Sequence, residues 1–342
     1  MAMKQERAGQ IPVTILTGFL GAGKTTLLNR ILREAHGLRI AVIENEFGEA
    51  GIDNEILLQE RDEQIVEMNN GCICCTVRGD LVRILGELQS RRNSGRLRFD
   101  HVVIETTGLA DPAPVAQTFF VDADVARDYR LDAIITVVDA VHANAQLDEH
   151  HEAQEQAGFA DRLLLSKTDL ASAGAVQALS QRLRAINPRA PILPVAFGNV
   201  DIAEVLDIDG FRLDAILQVD PAFLDDVSHE HDDDIGSFAY RDARPFDLER
   251  LETFFSLMLK TYGPDLLRYK GVLHIEGKPN RVIFQGVHML FAADEGKPWA
   301  ADEPRESTMV FIGRDLPRAL IEKGLALCRA GVSTDPAEAL TT

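Results

Sequence analysis

The chain has 342 residues, 46% of them hydrophobic and 26% charged, which is long enough for two cores and too mixed for a disordered or fibrous protein. Fifty-four acidic against 35 basic residues leave a net charge of -19, which disfavours binding to nucleic acid or anionic membrane and favours the approach of cations. The opening MAMKQERAGQ has no apolar signal core, and no later run stays apolar for the roughly 18 residues of a membrane span. A cytoplasmic location is expected, where disulfides are rare.

After a tail of residues 1–10, "IPVTILTG" (11–18) reads as a short buried strand. "TTLLNRILREA" (25–35) then places Leu27, Leu28, Ile31, Leu32 and Ala35 on one helical face. Similar apolar runs at 39–46, 101–108, 131–140, 161–169 and 191–196 are separated by helical lengths. Near-continuous Val, Ile and Leu runs imply strands buried on both faces, so residues 11–220 are expected to form an α/β domain, a mainly parallel sheet flanked by helices.

Composition changes at 221–236, an acidic stretch with His229 and His231 that reads as a solvated linker or as a weak metal-collecting arm. Residues 237–330 predict a smaller α+β domain with a mostly antiparallel sheet. Its strands are expected at 237–242, 271–275, 281–291 and 308–312, with "EGKPNR" (276–281) turning a hairpin. A helix over 247–263 turns Leu248, Leu251, Phe254, Phe255, Met258 and Leu259 inward, a second helix lies near 315–328, and 331–342 is a tail. Cys328 falls in that second helical pattern and is read as a packing residue.

"GFLGAGKT" (18–25) fits G-x-x-x-x-G-K-[ST] between a strand and a helix, the context a phosphate loop requires. Gly18, Gly21, Ala22 and Gly23 would turn backbone N–H groups toward a triphosphate at the helix N-terminus, continued by Thr26. Lys24 would reach the β- and γ-phosphates, and the Thr25 hydroxyl would bind Mg²⁺. "VVIETTGLADP" ends a strand in Glu105, a carboxylate suited to hold magnesium through water, and Gly108 offers a backbone N–H to the γ-phosphate.

"SKTD" (166–169) is the candidate base reader. Asp169 can accept from both N1–H and N2–H₂ of guanine, whereas adenine would leave it unpaired. Lys167 would lie over the base, and Ser166 stands where asparagine is usual in GTPases, which weakens the guanine preference. The alternative is Asp169 as the N-cap of the next helix. "PVAFGN" (194–199) is a weak candidate for closing the base pocket. No glutamine follows Gly108 to orient water, so slow hydrolysis is expected.

Three of the four cysteines, Cys72, Cys74 and Cys75, sit in "GCICCTVR" between the phosphate loop and E-T-T-G, where nucleotide-responsive segments lie. Thiolates are soft ligands for Zn²⁺, and carboxylates from "ENEFGE" can complete a tetrahedral Zn²⁺ or Co²⁺ site. Packing of small hydrophobes and a redox couple are the other readings of the cluster.

Together "GFLGAGKTTLLN", "ENEFGE", "GCICCTVR", "ETTGLADP", "VVDAVHA", "SKTDL", "LLRYKGVLHIEGKPNRVIFQGV" and "STMVFIG" resemble the CobW-type GTPases, nearest the YjiA-like branch, over almost the whole chain. The resemblance implies a SIMIBI-type P-loop domain with a CobW C-terminal domain, low GTPase activity and metal delivery to client metalloproteins. It also implies metal ligands drawn from Glu44, Glu49, Cys72, Cys74 and Cys75. A nucleotide- or metal-dependent homodimer is open for this fold class. Two other functions compete with GTP-driven zinc or cobalt delivery: a regulatory GTP-binding module with a structural metal site, and nickel insertion by GTPases of related fold.

Overall fold

The computed structural model describes residues 9–34, 36–44, 65–67, 77–210, 235–300 and 303–333. The chain falls into two compact units, the first ending at Gly210. In the first, β1 (Ile11–Thr17), β2 (Ile40–Glu44), β3 (Ile65–Glu67), β4 (His101–Glu105), β5 (Tyr129–Asp139), β6 (Arg162–Ser166) and β7 (Ile192–Val195) form one sheet. Their order is β3-β2-β4-β1-β5-β6-β7, and every pairing is parallel.

The expected apolar runs all become strands. The run at 161–169 gives a strand of only Arg162–Ser166, because Lys167 takes a left-handed φ of 55° that ends the ladder. β3, only three residues long, is too short to show a period and was not anticipated.

Helices α1 (Lys24–Arg33), α2 (Val77–Asn93), α3 (Ala113–Val121), α4 (Ala123–Asp128), α5 (Ala143–Glu149), α6 (His151–Phe159) and α7 (Ala173–Ile186) alternate with these strands. Leu27, Leu28 and Ile31 of α1 are buried in a cluster with Leu16, Val42, Val103, Ile135, Val137 and Leu164. That apolar face anchors α1 against the sheet.

In the second unit, β8 (Ile235–Asp242), β9 (Leu266–Leu273), β10 (Asn280–Val287), β11 (Leu290–Pro298) and β12 (Ser307–Arg314) form an antiparallel sheet in the order β11-β10-β9-β12-β8. Helices α8 (Leu248–Tyr262) and α9 (Arg318–Leu327) contribute to its core. Phe255 lies 4.3 Å from Phe284 and 6.3 Å from Tyr269, ring centre to ring centre. Cys328 is fully buried, its thiol pushed up to about 12 by burial, in keeping with a packing role.

The single strand expected over 281–291 is two. His288 takes a left-handed φ of 50°, and the chain reverses there between β10 and β11. A continuous apolar pattern hid a turn that carries no Gly or Pro. β9 likewise starts at Leu266 rather than 271.

A buried polar chain crosses the first sheet. The Thr14 hydroxyl donates to Asp132 Oδ2 at 3.2 Å, so His101 Nε2, 2.8 Å from Thr14 Oγ1, is the donor to that oxygen. Asp132, Asp207 and Asp209 are the one trio of potential ligand side chains within reach of each other among the described residues. Arg130 ion-pairs with all three, at 3.6, 2.8 and 2.6 Å. That guanidinium offsets part of their charge.

Burial lowers His101 to about 4, below its unfolded value near 6.5, and raises Asp132 to about 6. On acidification from pH 6.5 to 4 the unfolded chain binds the His101 proton and the fold does not, so His101 removes stability as pH falls. Asp132 acts in the opposite sense between its unfolded value and about 6. Relative to the parent, a His101→Gln variant should therefore lose less stability on acidification. The difference should reach about 3 kcal/mol in urea titrations of both proteins between pH 6.5 and 4.

Candidate functional site

A parallel sheet sends all its strand ends to one edge, which is where ligands bind in such folds. Here β4, β1, β5, β6 and β7 are consecutive neighbours and end in Glu105, Thr17, Asp139, Ser166 and Val195. The loops that follow carry all three nucleotide motifs.

In the phosphate loop Gly18, Gly21 and Gly23 have φ of 139°, 72° and 104°, left-handed conformations that favour glycine. A Cβ on Gly18 would meet Val137 O at 2.2 Å, so the loop lies directly on β5. Ala22 is buried beneath it, with its N–H on Phe19 O at 3.1 Å. Helix α1 starts at Lys24 with no acidic residue in its first turn, leaving the positive end of the dipole for an anion.

Lys24 is 8% exposed and donates to Gly18 O at 2.7 Å and Phe19 O at 3.3 Å. Burial lowers its pKa, partly offset by Glu105. Thr25 Oγ1 donates to Glu105 Oε1 at 3.2 Å, joining phosphate loop to β4. A hydroxyl and a carboxylate are the oxygen donors a hard cation such as Mg²⁺ takes. Two residues after Glu105 in sequence, Thr107 Oγ1 is buried with no hydrogen-bond partner among the described residues. These residues therefore fit the magnesium site expected of them.

Thr106 is structural: its N–H bonds Leu16 O at 2.9 Å and its hydroxyl donates to Thr17 Oγ1 at 2.8 Å. Gly108 touches the phosphate loop, where a Cβ would come within 2.6 Å of Leu20 N and 2.8 Å of Leu20 Cα. A glutamine does approach Gly108 in space, although none follows it in sequence. Gln156, 1% exposed on α6, donates to Gly108 O at 3.2 Å and Ala110 O at 3.0 Å. Its amide is committed to holding the loop rather than to a water.

The SKTD segment, the candidate base reader, is tied to the phosphate loop at two points. Ser166 Oγ donates to Ala22 O at 2.6 Å. Lys167, with φ of 55°, donates to Gly21 O at 2.8 Å and to Asp139 Oδ2 at 2.7 Å. Burial alone would raise the Asp139 pKa, but Lys167, His142 Nδ1 at 2.9 Å and the Val141 N–H hold it below the usual carboxylate value. His142 thus braces the site through Asp139.

Asp169 is exposed in the 3-10 turn Thr168–Leu170. The cap of α7 comes instead from Ser172, whose Oγ accepts from Ala175 N at 3.2 Å, which removes the helix-cap reading of Asp169.

Of the expected metal ligands, Glu44 is described, whereas Glu49, Cys72, Cys74 and Cys75 lie outside the described residues, as do His229 and His231. Glu44 ends β2 in register with Glu105 on β4 and with Glu67 on β3. Cys72 follows five residues after Glu67. Gln156 and Asp139 were not singled out as site residues in the sequence; two glutamines, Gln154 and Gln156, stand among the small residues of "HEAQEQAGF", and nothing in that pattern sets the second apart from the first.

Comparison with known proteins adds to this geometry. Residues 12–194 match the CobW/HypB/UreG nucleotide-binding domain, and 235–329 match the cobalamin synthesis protein cobW C-terminal domain. The chain is 44% identical over 317 residues to a protein named zinc chaperone YjiA from Escherichia coli, covering 92% of this chain and 98% of that one. It is 37% identical to a protein named zinc chaperone CobW from Pseudomonas aeruginosa, covering 92% and 91% of the two chains. The crystal structure of the Zn(II)-bound YjiA GTPase from E. coli superposes with a TM-score of 0.75 at 39% identity, covering 94% of this chain and 99% of that one. No helix among the described residues is long and apolar enough to cross a membrane. With the phosphate loop, the E-T-T-G loop and the base-reading motif at one sheet edge and an antiparallel second domain behind them in sequence, the chain belongs to the CobW/HypB/UreG family, in the form that carries the CobW C-terminal domain.

Proposed function

We propose that this protein is a slow GTPase that binds Zn²⁺, or Co²⁺ of the same tetrahedral preference, at its C-x-C-C segment and passes the ion to client metalloproteins. The observation that carries the reading is the row Glu67, Glu44, Glu105 and Thr25. Glu105 accepts from Thr25 in the magnesium pair, and Glu44, a candidate cargo ligand, ends the neighbouring strand in register. Glu44, the one candidate cargo ligand among the described residues, thus lies at the same sheet edge as the magnesium pair. Relatives named zinc chaperones, and a Zn(II)-bound relative of known structure, support zinc as the cargo.

In this mechanism Lys24 exchanges Gly18 O and Phe19 O for β- and γ-phosphate oxygens and offsets charge that builds on them. Thr25 and Glu105 hold Mg²⁺, which supplies neutralisation of phosphate charge when bound. The Gly108 N–H donates to the γ-phosphate, and Asp169 reads guanine while Ser166 and Lys167 hold that loop on the phosphate loop. With Gln156 occupied by backbone carbonyls, no side chain of the E-T-T-G loop orients water, and hydrolysis is slow. Residues 221–236 serve as an acidic linker between a GTPase domain of 11–220 and a C-terminal domain of 237–330.

Cargo ligands drawn from Glu44, Glu49, Cys72, Cys74 and Cys75 close around the ion when GTP orders the switch segments and part after hydrolysis, an order–disorder switch coupled to ligand geometry. Reciprocity then requires zinc to tighten GTP binding by the same factor.

In competition with a chromophoric zinc chelator, Mg²⁺ and a non-hydrolysable GTP analogue should tighten zinc binding tenfold or more relative to GDP, a coupling of about 1.4 kcal/mol. Cys74→Ser should abolish that site while GDP affinity is retained; equal zinc affinity in both nucleotide states would sink the proposal. Gly108→Ala forces a Cβ into the Leu20 backbone. Single-turnover phosphate release should fall about a hundredfold, the typical effect of displacing one transition-state donor, with GDP affinity within a few-fold of the parent.

A further inference from the structure

The two most exposed large hydrophobic side chains among the described residues are Phe197, 81% exposed, and Leu170, 70% exposed. Each lies just beyond one of two paired strands: β6 ends at Ser166 and β7 at Val195, and these two residues are register partners. Phe197 also has φ of 52°, a region in which a bulky side chain is an outlier and which recurs at ligand clamps.

The turn that holds Phe197 is tightly packed on its inner side. A Cβ on Gly198 would come within 3.1 Å of Thr26 O and 3.2 Å of Leu27 Cα, so the turn presses on the start of α1. Asn199 N–H closes the turn on Ala196 O at 2.9 Å. The ring is left to border a groove of about 510 Å³ whose other walls include Thr26, Asn29, Arg30 and Arg33. Glu34 completes the lining of this open groove, which begins one residue past the Thr25 that bonds Glu105.

We propose that Phe197 is a nucleobase-stacking residue, its ring covering one face of the guanine whose edge Asp169 reads, with the stem of Lys167 serving the other face. The proposal rests on the guanine-nucleotide reading above and adds to it the group that supplies base affinity. Ser166 has its hydroxyl hydrogen committed to Ala22 O. An aromatic face stacks on any base, so Phe197 contributes affinity for the base and Asp169 contributes the choice among bases.

The test measures binding of Mg²⁺ complexes of GDP, xanthosine diphosphate and inorganic tripolyphosphate by calorimetry, to the parent and to Phe197→Ala, Phe197→Tyr and Asp169→Asn. Phe197→Ala should weaken both nucleotides about tenfold, equivalent to about 1.4 kcal/mol. Tripolyphosphate, which has no base, should bind as before, and Phe197→Tyr should retain GDP affinity. Unchanged GDP affinity in Phe197→Ala overturns the proposal and leaves the guanine reading standing. Tripolyphosphate weakened as much as GDP also overturns it, because the ring would then be shaping the loop. An Asp169→Asn protein that still prefers GDP to xanthosine diphosphate removes the guanine reading itself, and the stacking proposal with it.

Discussion

The parallel ladder that pairs Glu44 with Glu105, and Glu105 with Leu16, is the constraint on which the site depends. A parallel register leaves no freedom to slide one strand end past another without turning buried side chains to the wrong face. The carboxylates at the ends of β2 and β4 are therefore held beside each other and beside the phosphate loop that leaves β1. The Thr25 to Glu105 hydrogen bond and the close approach of Gly108 to Leu20 then join two loops that are eighty residues apart in sequence. The two loops are thus in direct contact beside the neighbouring strand ends.

A second set of ties runs the other way along the edge. Ser166 and Lys167 bond the carbonyls of Ala22 and Gly21, and Asp139 holds Lys167 from below. Asp139 is 2% exposed, and a buried carboxylate persists only when cations and N–H groups surround it, as Lys167, His142 and Val141 do here. Ser166, although a serine, still supplies a side-chain donor to the phosphate loop.

Much of this was legible in the sequence wherever chemistry is written locally. The phosphate loop, Glu105, Gly108 and the SKTD segment were recognisable because glycines, a lysine and a carboxylate must stand at fixed spacings along one strand–loop–helix unit. Gln156 and Asp139 were passed over, since each works through atoms distant in sequence and looks like an ordinary polar residue on its own helix or strand. The turn at His288 was missed for a related reason: its left-handed backbone is selected by cross-strand pairing on either side, and no glycine marks it.

By itself the sequence determined the fold class and the strand–helix alternation and marked the candidate phosphate-binding and base-reading residues, because periodicity and motif spacing are properties of adjacent residues. The tertiary structure decided which of them meet. Strand order is not written in any one segment, yet it is the order β2-β4-β1-β5-β6-β7 that sets Glu44 beside Glu105 and the turn at Phe197 beside the SKTD loop. Only packing against α1 shows that Gly198 must stay small and that Phe197 stands in the open. Those contacts arise between segments far apart in the chain, where local pattern carries no information.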